Sequence, residues 1–283
     1  MKYQNHPYTY VGNVHLLVKD LHRSMTFYKE VIGFTILEQT EKKAALSADG
    51  KTVLLTIEQP EVIIEKQPRT TGLYHFALLL PTRADLGNVL LHLLQSGYPL
   101  QGASNHGVSE AIYLGDPDGN GIEIYADTPE EEWIWQDNHV QMITESMDAE
   151  GVLASRISDT WNGLPVGTVM GHIHLHVSDL VKAEEFYIKV LGFDVVLRYG
   201  AQALFISTGN YHHHIGLNTW AGVGAPAPTK NSLGLKTFTL HYPAIETLQT
   251  ALANLKELGA YLTEDNGSYI TQDPSGNVIR LYV

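Results

Sequence analysis

The sequence DPDGNGIEIY at residues 116–125 recurs near the other end of the chain as DPSGNVIRLY at residues 273–282. Each copy places a proline and a glycine ahead of an alternating run of apolar and polar residues, a pattern typical of a tight turn followed by a strand. Two copies of so specific a turn indicate that the chain repeats a structural unit.

The earlier part of each half carries a second repeat. Two pairs of segments match at the same spacing: VHLLVKDL (14–21) with IHLHVSDL (173–180), and FYKEVIGF (27–34) with FYIKVLGF (186–193). The first pair has a strand pattern, and the second has a helix pattern that ends at a glycine. We therefore predict two similar domains, with these boundaries: a first domain at 9–128, a connector at 129–170 and a second domain at 171–283.

Each predicted domain divides again into two modules. A glycine closes the helix pattern of every module: Gly33, Gly97, Gly192 and Gly259. One strand pattern precedes each helix and three follow it. This order predicts an α+β fold of two domains, each made of a pair of βαβββ modules.

The composition narrows the classes of function. Of the 283 residues, 44% are hydrophobic and 17% are charged, as in ordinary globular proteins. The net charge of −13 disfavours nucleic acid and anionic membranes as partners. The sequence shows no signal-peptide pattern and no apolar run of membrane-spanning length, so we expect a cytoplasmic protein. Cysteine is absent, so any metal must be held by nitrogen and oxygen ligands.

Three residues with metal-binding side chains occupy matching places in the first domain. His15 and His75 each lie in the opening strand of a module, and Glu123 lies in the strand after the DPDGN turn. A single histidine in a strand is usually structural, but pairing of the two modules would bring these opening strands together. We therefore expect His15, His75 and Glu123 to form a metal site.

The order of the modules, the FY…GF helix ending and the DPDGN-x-x-E turn resemble the vicinal oxygen chelate superfamily of glyoxalases, bleomycin-resistance proteins and extradiol dioxygenases. The four-module arrangement is most similar to that of two-domain catechol 2,3-dioxygenases. In that family two histidines and a glutamate hold iron(II), and His15, His75 and Glu123 match those positions. The resemblance implies Fe(II) as the cofactor, with Mn(II) as the alternative metal.

The segment NHGVSEAIYLGDPDGNGIE extends this resemblance. It is similar to a catechol 2,3-dioxygenase motif in which a histidine and a tyrosine precede the metal-binding glutamate. The matching residues are His106 and Tyr113. The resemblance implies that His106 acts as an acid or base and that Tyr113 donates a hydrogen bond to a developing oxyanion.

The second domain does not repeat the metal site. His174 aligns with His15, but Thr237 and Arg280 replace the other two ligands, and an arginine cannot bind a cation. We therefore expect this domain to be free of metal and to support the first. Its remaining histidines lie in one strand and one short run: His172, His176 and His212 to His214. We expect them to serve packing or an interface; the alternatives are a second metal site, or a composite active site to which His213 or His214 supplies the acid/base group.

These expectations together predict an extradiol dioxygenase that opens a catechol ring with O2 to give a muconic semialdehyde. A homo-oligomer is compatible with this function. A second class is a glyoxalase-like lyase or isomerase or a thiol transferase, for which Glu58 is the candidate fourth ligand. A third class is a nonenzymatic drug-binding protein, which does not need a complete set of ligands. Because all of these use the same scaffold, the fold alone does not choose among them.

Overall fold

The computed structural model describes residues 1–283, and its first half contains the two modules predicted there. Module 1 comprises β1 (Tyr10–Leu17), α1 (Leu21–Thr26), β2 (Thr35–Gln39), β3 (Lys43–Ser47) and β4 (Leu55–Glu58). Module 2 comprises β5 (Gly72–Leu79), α2 (Arg83–Ser96), β6 (Leu100–Asn105), β7 (Ser109–Gly115) and β8 (Gly121–Asp127).

The connector and the second half follow. The connector holds a 3₁₀ turn (Glu130–Glu132), β9 (Trp135–Gln136), β10 (His139–Val140), β11 (Glu145–Ser146) and α3 (Ala149–Ala154). Module 3 comprises β12 (Val169–His176), α4 (Leu180–Glu184), β13 (Asp194–Tyr199), β14 (Ala203–Ser207) and β15 (Ile215–Asn218). Module 4 comprises β16 (Gly234–His241), α5 (Ile245–Leu258), β17 (Leu262–Asp265), β18 (Ser268–Gln272) and β19 (Val278–Tyr282). The predicted α+β fold of four βαβββ modules is confirmed.

One kind of hydrogen bond explains why the FY motif and the DP turn occur together in each half. The FY motif lies in a π-helical turn that continues α1 over Phe27–Ile32, and the buried Tyr28 hydroxyl donates to Asp116 of the DPDGN turn at 2.8 Å. In the second half Tyr187 donates to Asp273 at 3.1 Å. Both aspartates also accept hydrogen bonds from their own turns. Each motif therefore ties the helix of one module to the last turn of the next, which explains why the two recur together.

The sheets pair the modules differently from the prediction. An eight-stranded sheet joins modules 1 and 4 through β1 and β16, with His15 opposite Thr237. A nine-stranded sheet joins modules 2 and 3 through β5 and β12, with His75 opposite His174. The boundaries 9–128, 129–170 and 171–283 therefore divide the sequence into similar halves, but each sheet takes one module from each half.

One large apolar cluster lies beneath both sheets. Its members come from all four modules, and they include the fully buried Phe76, Phe186 and Phe238. Packing of this size is the main source of stability in a domain. No helix of the structure is both long enough and apolar enough to cross a bilayer.

Candidate metal centre

Two histidines and one glutamate converge where modules 2 and 3 meet. His75 lies on β5, Glu123 on β8 and His172 on β12, and the three strands are neighbours in the nine-stranded sheet. Each side chain offers one ligand atom, and these atoms all lie within 4.8 Å of one another. Glu123 Oε2 is 3.1 Å from His75 Nε2 and 3.2 Å from His172 Nε2. The arrangement is a candidate metal site of two imidazoles and one carboxylate.

A glycine allows the strands to approach here. Gly121 lies opposite His75 in the parallel pairing of β8 with β5. A Cβ on this residue would lie 2.2 Å from the Tyr74 carbonyl oxygen and 2.9 Å from the Cβ of His75, closer than atoms can approach. The glycine that follows the DPDGN turn therefore sets the spacing between the two strands that carry His75 and Glu123.

The electrostatics of the three groups suit a cation. Burial alone would raise the pKa of Glu123, but the neighbouring His172 and His75 hold it well below its usual value. Burial lowers the pKa of His172, which favours the neutral imidazole that binds metals. His75 Nε2 is buried and has no hydrogen-bond partner, although the Glu123 oxygen is close. A buried ring nitrogen without a hydrogen-bond partner destabilises the folded state unless another group binds it. His75, Glu123 and His172 therefore fit a metal ion.

His15, predicted as a ligand, does not reach this group. It lies on β1 in the other sheet, with Nε2 3.0 Å from Glu58 Oε2, and Lys236 pairs with the same carboxylate at 2.7 Å. The predicted site of His15, His75 and Glu123 is corrected by this geometry, because β1 pairs with β16 and not with β5. The ammonium group of Lys236 also disfavours a cation beside His15.

His172 takes the place expected of His15, and it was missed because the repeat aligns His15 with His174. The position equivalent to His172 in the first half is Asn13. Alternation along β12 puts His172 and His174 on one face, which is the signal that could have identified the residue. The expectation of a second half without ligands is therefore also corrected.

His174 lies near the three candidate ligands but is engaged by another side chain. The Asn218 side-chain amide donates to His174 Nε2 at 2.9 Å, and its oxygen accepts from His176 Nδ1 at 2.7 Å. Both histidines are held by this single asparagine. Burial keeps the pKa of His174 well below its ordinary value, so its ring is neutral and the nitrogen nearest Asn218 is occupied.

The predicted pair of His106 and Tyr113 lies beside the metal-ligand group. His106 Nε2 is 2.7 Å from the Tyr113 hydroxyl, and Nδ1 is 2.9 Å from the carbonyl oxygen of Ile143. A carbonyl oxygen only accepts, so Nδ1 carries the proton and Nε2 accepts from Tyr113. Burial, followed by Glu123, raises the pKa of Tyr113, which therefore remains a hydroxyl. Both ring nitrogens of His106 are thus engaged, and its ring lines the cavity beside Tyr113.

A cavity of about 350 Å³ opens above these residues. Apolar and aromatic side chains from both halves form much of its wall: Tyr74, Met142, Ile143, Leu197, Tyr199, Phe205 and Trp220. His75, Glu123 and His172 lie at the same cavity, as do Tyr113 and His106. No lysine or arginine lines it. The space accommodates a small aromatic molecule next to the three candidate ligands.

The three consecutive histidines of the second half occupy three different environments. His213 lines the cavity, and its ring centroid is 4.1 Å from that of His172. His212 is fully buried and lies behind it, between His213 and Asp127. His214 points away and donates to the carbonyl oxygen of Tyr3 at 2.9 Å. The predicted packing role fits His214, whereas His213 reaches the site as the composite alternative anticipated.

The fold and the site define a family. The chain belongs to the Glyoxalase/Bleomycin resistance protein/Dioxygenase superfamily, whose family model matches residues 10–124 and 169–281. It is 46% identical over 272 residues to the catechol-2,3-dioxygenase of Bacillus subtilis (strain 168), and the alignment covers 95% of each chain. The predicted resemblance to this superfamily is confirmed.

Solved structures support the fold independently. The chain is similar to glyoxalase I from Zea mays, with a TM-score of 0.61 at 17% identity over 96% of this chain and 92% of that one. It is also similar to the cppA protein from Streptococcus pneumoniae TIGR4, with a TM-score of 0.57 at 10% identity over 98% of this chain and 100% of that one. At these identities the likeness concerns the fold alone.

Proposed function

We propose that this protein is an extradiol dioxygenase that opens a catechol ring beside its two hydroxyl groups, using non-haem iron(II) held by His75, Glu123 and His172. The observation that carries the proposal is the convergence of two imidazoles and one carboxylate at an aromatic-lined cavity. The 46% identity to a catechol-2,3-dioxygenase over nearly the whole chain supports the same reaction class.

The donor set favours the metal. Two neutral imidazoles and one carboxylate, with no other metal-binding side chain in the group, match the ligand preference of non-haem iron(II) that must also bind substrate and O2. Mn(II) accepts a similar set of ligands and is the alternative. When bound, the metal would supply the Lewis acid and redox chemistry through which the ring reacts with O2.

The walls of the cavity would orient the ring. Phe205, Leu197 and Trp220 offer apolar surface on the side contributed by the second half. Tyr74 closes the cavity from the first half and packs edge-on against Trp220, with ring centroids 5.1 Å apart. Holding a flat ring between such surfaces lowers the entropic cost of reaching the reactive orientation and excludes water from it.

His213 is placed to accept a proton from a substrate hydroxyl. Its Nδ1 contacts His212, so Nε2 is the nitrogen left for the cavity. Burial holds the pKa of His213 well below its ordinary value, so the ring is neutral and its Nε2 lone pair can accept a proton. We assign this role to His213 in place of His106, whose ring nitrogens are both occupied.

Tyr113 would contact an oxygen atom of the reacting group. Its hydroxyl proton is donated to His106, so its oxygen is left to accept a hydrogen bond from a substrate hydroxyl. His106 is therefore a positioning residue for Tyr113. Both atoms of O2 enter the product, which would be a ring-opened muconic semialdehyde; no further reductant is needed.

The experiment is anaerobic loading of the purified protein with Fe(II), followed by addition of catechol and air. We expect O2 uptake matched one to one by a ring-opened, absorbing product. His213→Gln should retain iron and lose about 100-fold or more in kcat, while His15→Ala serves as the matched histidine control and should keep wild-type turnover. Failure of the iron-loaded protein to consume O2 with any catechol, together with isomerisation of a hemithioacetal after loading with nickel or zinc, would instead support the glyoxalase-like class.

A further inference from the structure

A buried chain of three side chains runs from Asp127 to the cavity. Asp127 Oδ1 is 2.8 Å from His212 Nε2, and His212 Nδ1 is 2.8 Å from His213 Nδ1. The chain crosses between the halves of the sequence, because Asp127 ends β8 and the two histidines precede β15. The His212 side chain is fully buried, whereas that of Asp127 is 25% exposed. The chain therefore links the cavity with the edge of the protein.

Hydrogen-bond rules fix the protons along this chain when both histidine rings are neutral. An ionised carboxylate can only accept, so His212 Nε2 must carry a proton and donate it to Asp127. A neutral His212 then has a bare Nδ1, which can only accept. The proton in the contact between the two Nδ1 atoms must come from His213, and this leaves His213 Nε2 without a proton.

We propose that Asp127 and His212 are positioning residues that keep His213 in the tautomer whose Nε2 lone pair faces the cavity. The inference rests on the proposed function, since it concerns the residue that would accept the substrate's proton. Asp127 and His212 lie outside the cavity wall, one in each half of the chain, and the proposal adds them to the residues that support the reaction.

The arrangement also stabilises the cation that forms during the reaction. When the substrate O–H bond breaks and an Nε2–H bond forms, His213 gains a positive charge in a buried place next to His172. Glu123, the carboxylate on the side of His172, belongs to the candidate metal site. Asp127 supplies a negative charge on the other side of His213, and it acts through the polarisable ring of His212. This is the physical role that a carboxylate behind a catalytic imidazole performs in other hydrolytic and transfer sites.

A tyrosine contacts the carboxylate at a point outside the chain to His213. The Tyr211 hydroxyl donates to Asp127 Oδ1 at 3.3 Å, and it is 2.7 Å from the hydroxyl of Tyr125. These contacts do not lie between Asp127 and His213. Tyr211 therefore offers a matched control: its hydroxyl can be removed next to Asp127 while the chain to His213 stays intact.

The direct test measures the tautomer. Protein labelled with ¹⁵N-histidine and loaded with Zn²⁺, which is diamagnetic, is examined by long-range ¹H–¹⁵N correlation, with His212→Asn and His213→Gln used to assign the two rings. We expect His213 to carry its proton on Nδ1 in the wild-type protein. In Asp127→Asn an amide can donate to His212, so the His213 proton should move to Nε2 in part or in full. Wild-type His213 with a protonated Nε2, or the same tautomer in both proteins, would overturn the proposal.

Kinetics of the iron-loaded protein supply the second readout. We expect Asp127→Asn to lower kcat by about 100-fold while KM changes by less than about threefold, because the chemical step loses its base and the cavity wall is unchanged. His212→Asn, whose amide oxygen can accept from His213 Nδ1, should retain about ten times more activity than His212→Phe. Tyr211→Phe should keep kcat close to that of the wild type. An equal loss of kcat in Asp127→Asn and Tyr211→Phe would show that Asp127 and His212 have only a structural role, and it would contradict the proposal.

The two readouts separate the inference from the function on which it rests. The tautomer does not depend on turnover, so a protein with the expected His213 tautomer but no dioxygenase activity would refute the proposed function and leave the positioning chain standing. A protein with dioxygenase activity in which His213 carries its proton on Nε2 would support the proposed function and refute the positioning role of Asp127 and His212.

Discussion

His214 gives a prediction in which stability and pH are linked. Its ring donates from Nε2 to the Tyr3 carbonyl oxygen at 2.9 Å and accepts at Nδ1 from the Thr208 amide at 3.3 Å. Only the neutral ring can do both, and the side chain is fully buried. Burial lowers the pKa of His214 from 6.5 to about 3. Folding therefore favours the neutral ring over the charged one.

The sign and size of the effect follow from this shift. Above pH 6.5 the ring is neutral in both states and its contribution to stability is complete. As the pH falls below 6.5, His214 binds a proton in the unfolded chain but not in the folded protein. The free energy of unfolding therefore decreases until the pH approaches 3. Each pH unit within this window costs about 1.4 kcal/mol, so that between pH 7 and pH 5 the loss from His214 alone is about 2 kcal/mol.

We predict that His214→Gln removes this part of the pH dependence. The glutamine amide has a donor and an acceptor, but its single terminal group does not span Tyr3 and Thr208 as the two ring nitrogens do. With one of the two hydrogen bonds lost, the variant should be about 1 kcal/mol less stable than the wild type at pH 7. At pH 5 the difference should vanish or reverse, because the wild type has lost about 2 kcal/mol that the variant has not.

The assay is urea unfolding at pH 7 and pH 5 on protein stripped of metal, so that metal binding does not contribute to the pH dependence. Contributions from the other buried histidines are common to both proteins and cancel in the difference. Thr208→Val, which removes a hydroxyl bonded to Thr9 at 2.9 Å, is the control and should lower stability equally at both pH values. The same difference in unfolding free energy between His214→Gln and the wild type at both pH values would show that His214 does not contribute to the pH dependence of stability.

Three further predictions concern the site. Gly121→Ala should force β8 away from Tyr74 and His75, and iron titration should show weakened binding in a protein that still folds. Tyr113→Phe should retain iron and lower kcat by about 100-fold. His106→Ala should lower kcat by about tenfold, because His106 acts through Tyr113. Wild-type kcat in both variants would show that neither residue takes part in the reaction. Because no lysine or arginine lines the cavity, kcat/KM for 3,4-dihydroxybenzoate should be at least about 100-fold below that for catechol, and equal values would contradict this reading of the cavity.

Much of the fold could be predicted from local sequence. The helix ends at Gly33 and Gly97 show as left-handed caps in the structure, and the two DP turns precede their strands as expected. These features depend on neighbouring residues only. His75 and Glu123 could be predicted for the same reason, because both lie in module 2 and the turn before Glu123 sets its strand.

The pairing of modules could not be predicted from the same signals. β1, β5, β12 and β16 are all apolar opening strands of similar length, and sequence alone does not say which one borders which. Which opening strands pair depends on packing across the whole molecule. Because β5 pairs with β12 and β1 pairs with β16, the second candidate histidine ligand lies in the second half and not in the first. Thr237 and Arg280 replace the ligands of module 4, but they do not identify its partner, because pairing with module 1 and pairing with module 3 both leave that position without a site.

We propose that the metal site is shared by the two halves and uses His172 instead of His15. Anaerobic Fe(II) titration of the wild type, His172→Ala and His15→Ala, each confirmed as folded by circular dichroism, decides between the two histidines. Removing a ligand should weaken binding more than removing an outer contact does, so we predict a loss of at least about 100-fold in His172→Ala. His15→Ala should bind one iron with wild-type affinity. Loss of iron in His15→Ala with full binding in His172→Ala would show that His15, and not His172, is the ligand.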